Sequence, residues 1–209
     1  MIIKSKHNFI IYPYFRIYTI LKIWKNFHRV VISGELIDKN LPVLLISNHV
    51  SWWDGIWVMY LNMKCFNRKF HFMMLENQIK KFWITNQVGG YSVRKGSRSI
   101  IETLKYTNEI LSDKENLVLI FPQGEIQSVY NGAIKFEKGI EKILKDNSGK
   151  IQVFLIANLV DYFSEEKPTL FIYFKELTTS EISLEAIEKE YNTFYSRCIS
   201  ENISKSENQ

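Results

Sequence analysis

Two apolar runs restrict the folds open to this chain more than any other feature. Val43-Leu44-Leu45-Ile46, opened by Pro42, and Leu117-Val118-Leu119-Ile120-Phe121, closed by Pro122 and Gly124, contain no polar residue. A strand with one face in water alternates apolar and polar side chains, so unbroken runs of this length read as strands buried on both faces. Strands of that kind need helices on either side of the sheet. The rest of the chain supplies them in alternation. Trp52 to Leu61 and Asn77 to Asn86 read as helices around a strand at Phe70 to Leu75, and Gly89 to Val93 as a turn feeding a brief strand. Ser99-x-x-Glu102 is a capping box opening a helix with Ile100, Leu104, Thr107 and Leu111 on one side. Gly139 to Lys145 is helical, Ile151 to Ala157 and Leu170 to Phe174 are strands, and Leu184, Ile187, Tyr191 and Phe194 mark a last amphipathic helix. The pattern specifies an α/β fold: a mixed, mostly parallel central sheet covered by helices.

At 209 residues with no repeat or Gly/Pro/Ser linker, the chain holds one main domain, placed at residues 31–203. Residues 1–30 carry an apolar, aromatic stretch from Phe9 to Trp24, and residues 204–209 read as a polar tail. Pro13, Arg16 and Lys22 interrupt that stretch well short of the roughly 20 apolar residues a membrane span requires. On a helical wheel Ile17, Ile20, Leu21 and Trp24 share a face, with Thr19, Lys22 and Asn26 roughly opposite. Such a helix suits the headgroup plane of a membrane, or alternatively the protein's own core.

Partner classes follow from charge and aromatic content. Aromatic residues make up 14% of the chain, and 27 Lys and Arg face 22 Asp and Glu. Together they suggest an anionic partner: a membrane surface, a nucleic acid or a phosphorylated substrate. Basic residues are dispersed and form no known DNA or RNA module, which argues against nucleic acid. Cys65 and Cys198 stand far apart without a C-x-x-C partner, which suits a reducing cytosolic setting, and the four histidines show no metal-ligand spacing.

Three polar constellations fall at strand ends. The first is Asn48-His49-x-x-x-x-Asp54: an imidazole is the natural general base near neutral pH, and a carboxylate on its second nitrogen fixes the tautomer. In a continuous helix residues five apart are turned by about 140°, so the pair meets only if His49 lies in the strand-to-helix loop and Asp54 in the first helical turn. The second is Gly89 to Gly96, where Arg94, Lys95 and nearby Arg98 offer cations to a phosphate. The third is the turn Phe121-Pro122-Gln123-Gly124-Glu125.

That ordered set resembles the lysophosphatidic acid acyltransferase family of glycerolipid acyltransferases over about Val43 to Ala157. The family's N-H-x-x-x-x-D motif is met by Asn48, His49 and Asp54, and its F-P-E-G-T-R motif by Phe121, Pro122 and Gly124. Phe136 and Gly139 match a further Phe-x-x-Gly feature. Gln123 stands where the family has Glu, Glu125-Ile126 replaces Thr-Arg, and Gln152 replaces a proline. The resemblance implies a catalytic pair of His49 and Asp54, with Arg94, Lys95, Arg98 and Phe121 to Glu125 binding substrate and no metal or cofactor. It further implies acyl-CoA or acyl-carrier protein as donor, a membrane lipid as acceptor, and a place on the cytoplasmic face of the membrane. Oxyanion donors are expected among the N–H groups following His49 or around Gly124.

Overall fold

A computed structural model of the chain describes residues 2–94, 99–179 and 181–206. Lys95 and Arg98 lie outside the described residues. The two all-apolar runs become β2 (Val43–Ser47) and β5 (Asn116–Ile120), adjacent parallel strands at the centre of the sheet, and both are buried along their whole length. With β1 (Arg29–Ser33), β3 (Lys69–Leu75), β4 (Gly90–Val93), β6 (Gln152–Asp161) and β7 (Thr169–Glu176) they form one seven-stranded sheet, in the order β1-β7-β6-β2-β5-β3-β4. Every described pairing is parallel except β6 with β7.

The pleat divides each central strand between two cores. Leu44, Ile46, Val118, Ile120, Leu155 and Ala157 face α5 (Ser99–Ile110), α6 (Gly139–Asp146) and α7 (Leu184–Ser206). Val43, Leu45, Leu117, Leu119, Phe154 and Ile156 face α1 (Ile11–Asn26) and α2 (Asp54–Leu61), which contribute Ile23, Trp57, Val58 and Leu61. Unbroken apolar sequence is therefore what this topology demands.

Several boundaries differ from the sequence reading, each for a local reason. The helix expected over Asn77 to Asn86 is two short ones, α3 (Glu76–Lys81) and α4 (Ile84–Gln87), because Phe82 leaves helical geometry at ψ 65°. α2 passes into a π-helical turn at Asn62–Phe66, closed by Asn67 in the left-handed region, and the Asn62 amide bonds the backbone N–H and C=O of Arg68. The final helix runs on to Ser206, taking in three residues read as tail. β1 spans the point at which the first segment was divided from the domain.

Residues before β1 are woven into the sheet. Ile3 and Ser92 exchange hydrogen bonds, Gly89 N–H donates to the Lys6 carbonyl, and His7 bridges Val88. Gly89 has φ +105°, and a Cβ there would collide with the Phe70 carbonyl oxygen, so this close approach requires glycine. From the β4 edge α1 crosses the sheet to deliver the chain to β1 at the other edge. Sixteen residues of helix span about 24 Å of the roughly 29 Å in six strand spacings, and the non-helical residues at its two ends make up the rest. Pro13 lies in its first turn, where no intrahelical N–H bond is lost.

α1 presents the opposite side from the one a core-packing stripe would require. Thr19 and Ile23 are buried and Tyr12 and Phe15 pack on the α2 core, whereas Ile17, Ile20, Leu21 and Trp24 are exposed, Trp24 at 79%.

The joint between the first residues and β3 contains a buried histidine. His71 donates at Nε2 to Asn116 Oδ1 (3.2 Å) and accepts at Nδ1 from the Ser5 hydroxyl (2.9 Å), with the His7 ring 4.6 Å away. Burial, reinforced by His7, pushes its pKa down to about 3 from 6.5. The unfolded chain therefore binds a proton that the folded chain refuses between those values, and stability falls as pH drops through that window. Denaturant titrations from pH 7 to pH 4 are expected to show a steeper loss for the native protein than for His71→Gln.

Candidate active site

The parallel strands β2, β5, β3 and β4 end on one edge of the sheet, so the loops that follow them gather there. His49 sits in the loop after β2, and Asp54 is the first residue of α2. Their separation by five residues is thus bridged by a turn rather than by helix, and His49 Nδ1 lies 2.9 Å from Asp54 Oδ2. The same oxygen accepts the backbone N–H groups of Val50 (2.6 Å) and Ser51 (2.9 Å). An oxygen that accepts two backbone N–H groups has no proton to give the ring, so Nδ1 donates to it, and in the neutral tautomer this leaves Nε2 as the acceptor. Asp54 is fully buried, while the His49 side chain is 20% exposed and lies flat on Phe121, ring centroids 4.0 Å apart.

Side-chain amides brace the loop that carries His49. Asn48, buried, continues the ladder beyond β2 with its side chain: Nδ2 donates to the Asn158 carbonyl and Oδ1 accepts the Asn158 N–H, at 2.9 and 2.8 Å. Asn158 Nδ2 then donates to Ser47 Oγ, and Tyr191 OH donates to the neighbouring Ile156 carbonyl. On the other side Gln123 Oε1 accepts the His49 N–H at 2.6 Å, the His49 carbonyl accepts the Gln127 N–H at 2.9 Å, and Gln123 Nε2 donates to Gln127 Oε1. Gln123 is therefore a buried brace for His49 and does not line the cavity.

A cavity of about 980 Å³ opens in front of the imidazole. It wraps over the end of β3, so that Phe15, Tyr18 and Phe72 line it on the α1 side and Met73, Leu104 and Ile140 on the α5 and α6 side. His49, Phe121, Pro122, Gly124 and Glu125 form the wall between, and Gly139 opens α6 against it. Such walls suit long apolar chains meeting at a single polar point.

Other sequence-derived candidates are placed differently. Arg94 follows β4, and its guanidinium makes a bidentate ion pair with Glu76, at 2.8 and 2.9 Å for Nη2. Arg94 and Lys80 hold the Glu76 carboxyl down at about 2. Three of the backbone donors anticipated for an oxyanion are already committed: Val50 and Ser51 to Asp54, and Gly124 N–H to the Phe121 carbonyl, with Gly124 at φ +66°. Ser51 Oγ accepts the Trp53 N–H, a turn-closing role. Gln152 lies at the opposite end of the sheet, tying the 37–39 segment to β6. Among the described residues no group of three or more His, Cys, Asp and Glu is placed to hold a metal ion.

A family model described as Acyltransferase matches residues 29–157, more than half of the chain. The chain belongs to the acyltransferase family. This is the family of the lysophosphatidic acid acyltransferases, and the match supports acyl transfer as the chain's general chemistry. The match takes in β1 to β6 up to Ala157, with every sequence-derived site residue, and leaves α1 and α7 outside. No curated protein matches the chain.

Gln127 and Asn158 escaped the sequence reading. Asn158 carried a usable signal, as a polar residue in an apolar strand that must find partners when buried; Gln127 carried none. Gln123→Ala removes the acceptor for His49 N–H and the donor to Gln127 at a buried position. It is expected to lower stability by about 1–3 kcal/mol in denaturant titrations and to reduce turnover at the same time.

Proposed function

We propose that this acyltransferase-family enzyme moves a fatty acyl group from a thioester, acyl-CoA or acyl-carrier protein, to a hydroxyl of a membrane lipid at the cytoplasmic face. The acceptor we assign is a lysophospholipid such as 1-acyl-glycerol-3-phosphate, in phospholipid synthesis. The observation that carries the proposal is the His49 ring, fixed at Nδ1 by a buried carboxylate and opening onto a large apolar cavity.

In the proposed reaction Nε2 takes the proton of the acceptor hydroxyl as its oxygen attacks the thioester carbonyl. The buried Asp54 stabilises the imidazolium that forms. Collapse of the tetrahedral species forms the ester and expels the thiolate, which recovers the proton from Nε2. No acyl-enzyme is required, since Ser51 Oγ is held in its turn. The exposed apolar side of α1 would rest on the lipid surface from which the acceptor comes.

A second reading has its own support. Glu125 lines the cavity, Ile126 follows it, and Arg94 is tied to Glu76, so a hydroxyl lipid with a less anionic head also fits these walls. A panel of lysophosphatidate, neutral and amine-bearing acceptors with labelled acyl-CoA separates the two. His49→Ala is expected to abolish turnover with every acceptor while the far-ultraviolet spectrum stays native. Asp54→Asn is expected to lower kcat by about a hundredfold or more, because the ring loses its fixed tautomer. Near-native turnover in His49→Ala would sink the proposal.

A further inference from the structure

The apolar side of α1 does not stand alone. At the corner between α3 and α4, Phe82 and Trp83 are exposed, Trp83 at 60%, although neither lines the cavity. Trp52 and Trp53, at the start of the His49 loop's helix, are also open to solvent and do line it. These groups form a connected run. Lys22 of α1 lies over the Trp53 ring at 4.6 Å, Trp52 packs on Phe82 at 5.0 Å, and Lys81 lies over Phe82 at 5.3 Å. Four of the five tryptophans belong to this side of the molecule, and only Trp57 is buried.

The charge is as unevenly placed as the aromatics. Residues 1–34 carry six Lys and Arg and no Asp or Glu, so the remaining chain, with 21 cations and 22 carboxylates, is close to neutral. The segment that supplies α1 thus holds the whole positive excess. A second copy of the chain is a poor occupant for this surface, because pairing would bring two such segments together. An anionic lipid surface matches it on both counts: headgroups take the lysines, and the interfacial layer takes tryptophan rings.

We propose that the Phe82–Trp83 corner, with Trp52 and Trp53, is a second membrane contact continuous with α1. An anionic bilayer is then held across the mouth of the His49 cavity, and lipid enters without crossing water; this last step rests on the lipid reading of the site. α1 alone would leave the molecule free to roll about the helix axis. A contact that extends away from the helix axis removes that freedom and fixes the mouth toward the membrane.

Co-sedimentation with phosphatidylglycerol/phosphatidylcholine vesicles tests the proposal, comparing the native protein with Phe82→Ser/Trp83→Ser. The native protein is expected to bind in proportion to phosphatidylglycerol and to be released by salt, and the double variant to bind about tenfold more weakly. Turnover of a detergent-dispersed acceptor is expected to be unchanged, since neither residue lines the cavity. Should the double variant fold poorly, brominated phosphatidylglycerol is expected to quench tryptophan emission of the native protein, with part of that quenching lost in Trp83→Phe. Equal binding by native protein and folded double variant, or quenching that Trp83→Phe leaves untouched, overturns the proposal. Vesicle binding needs no substrate, so binding without acyl transfer refutes the enzymatic reading alone, and transfer without binding refutes the docking surface alone.

Discussion

The Asp54 carboxylate organises the end of the sheet from which His49 emerges. Fully buried, it gathers the N–H groups of Val50 and Ser51 and the His49 Nδ1 proton on one oxygen. Hydrogen bonds to a charged acceptor are each worth about 1.5–3 kcal/mol, so three of them offset much of the cost of burying the charge. They also decide the conformation of the loop. Without Asp54 the residues between β2 and α2 would have two half-buried donors to satisfy elsewhere, and the imidazole would have no fixed tautomer. Position at the start of α2 adds a favourable interaction with the helix dipole.

Around this carboxylate the sheet supplies rigidity in graded fashion. β2 sits between β5 and β6, so the loop it launches is flanked by the ends of both neighbours. From β6 comes Asn158, which extends the ladder through the Asn48 side chain; from the loop after β5 come Gln123 and Gln127, which hold the His49 N–H and carbonyl. A neutral amide at position 123 serves this arrangement because it accepts from one partner and donates to the other, which a carboxylate cannot do. The substitution of Gln for Glu relative to the family pattern therefore has a structural correlate: the residue bonds to the chain, and the cavity wall is left to Phe121, Pro122, Gly124 and Glu125.

Legibility in the sequence followed the physics of each feature. The central strands were readable because double-sided burial leaves no polar residue to confuse the period, and the His49–Asp54 contact because five-residue spacing admits one geometry across a strand-to-helix boundary. β1 was not readable: Arg29 to Ser33 is half exposed at the sheet edge and becomes a strand by pairing with β7, a contact about 140 residues away that no local pattern announces. The break between α3 and α4 depends on one dihedral at Phe82, which aromatic residues do not encode. On α1 the wheel located the apolar stripe but not its direction, since the inward face is set by Thr19, Ile23, Tyr12 and Phe15, a mixture that hydropathy alone ranks below the exposed one.

That orientation of α1 links the fold to the membrane reading. A helix crossing the sheet from the β4 edge to β1 has to give one side to the core and one to its surroundings. Here the core side is modest and includes a buried threonine, while the outer side carries Ile17, Leu21 and Trp24. Exposing such residues to water gains nothing for folding, and each would favour burial by roughly 1.5–3 kcal/mol. Phe15 and Tyr18 of the same helix line the cavity that His49 faces. One element thus crosses the sheet, walls the His49 cavity and presents the apolar stripe. A bilayer contact at that stripe would act on the cavity wall directly, through a rigid helix anchored at both edges of the sheet.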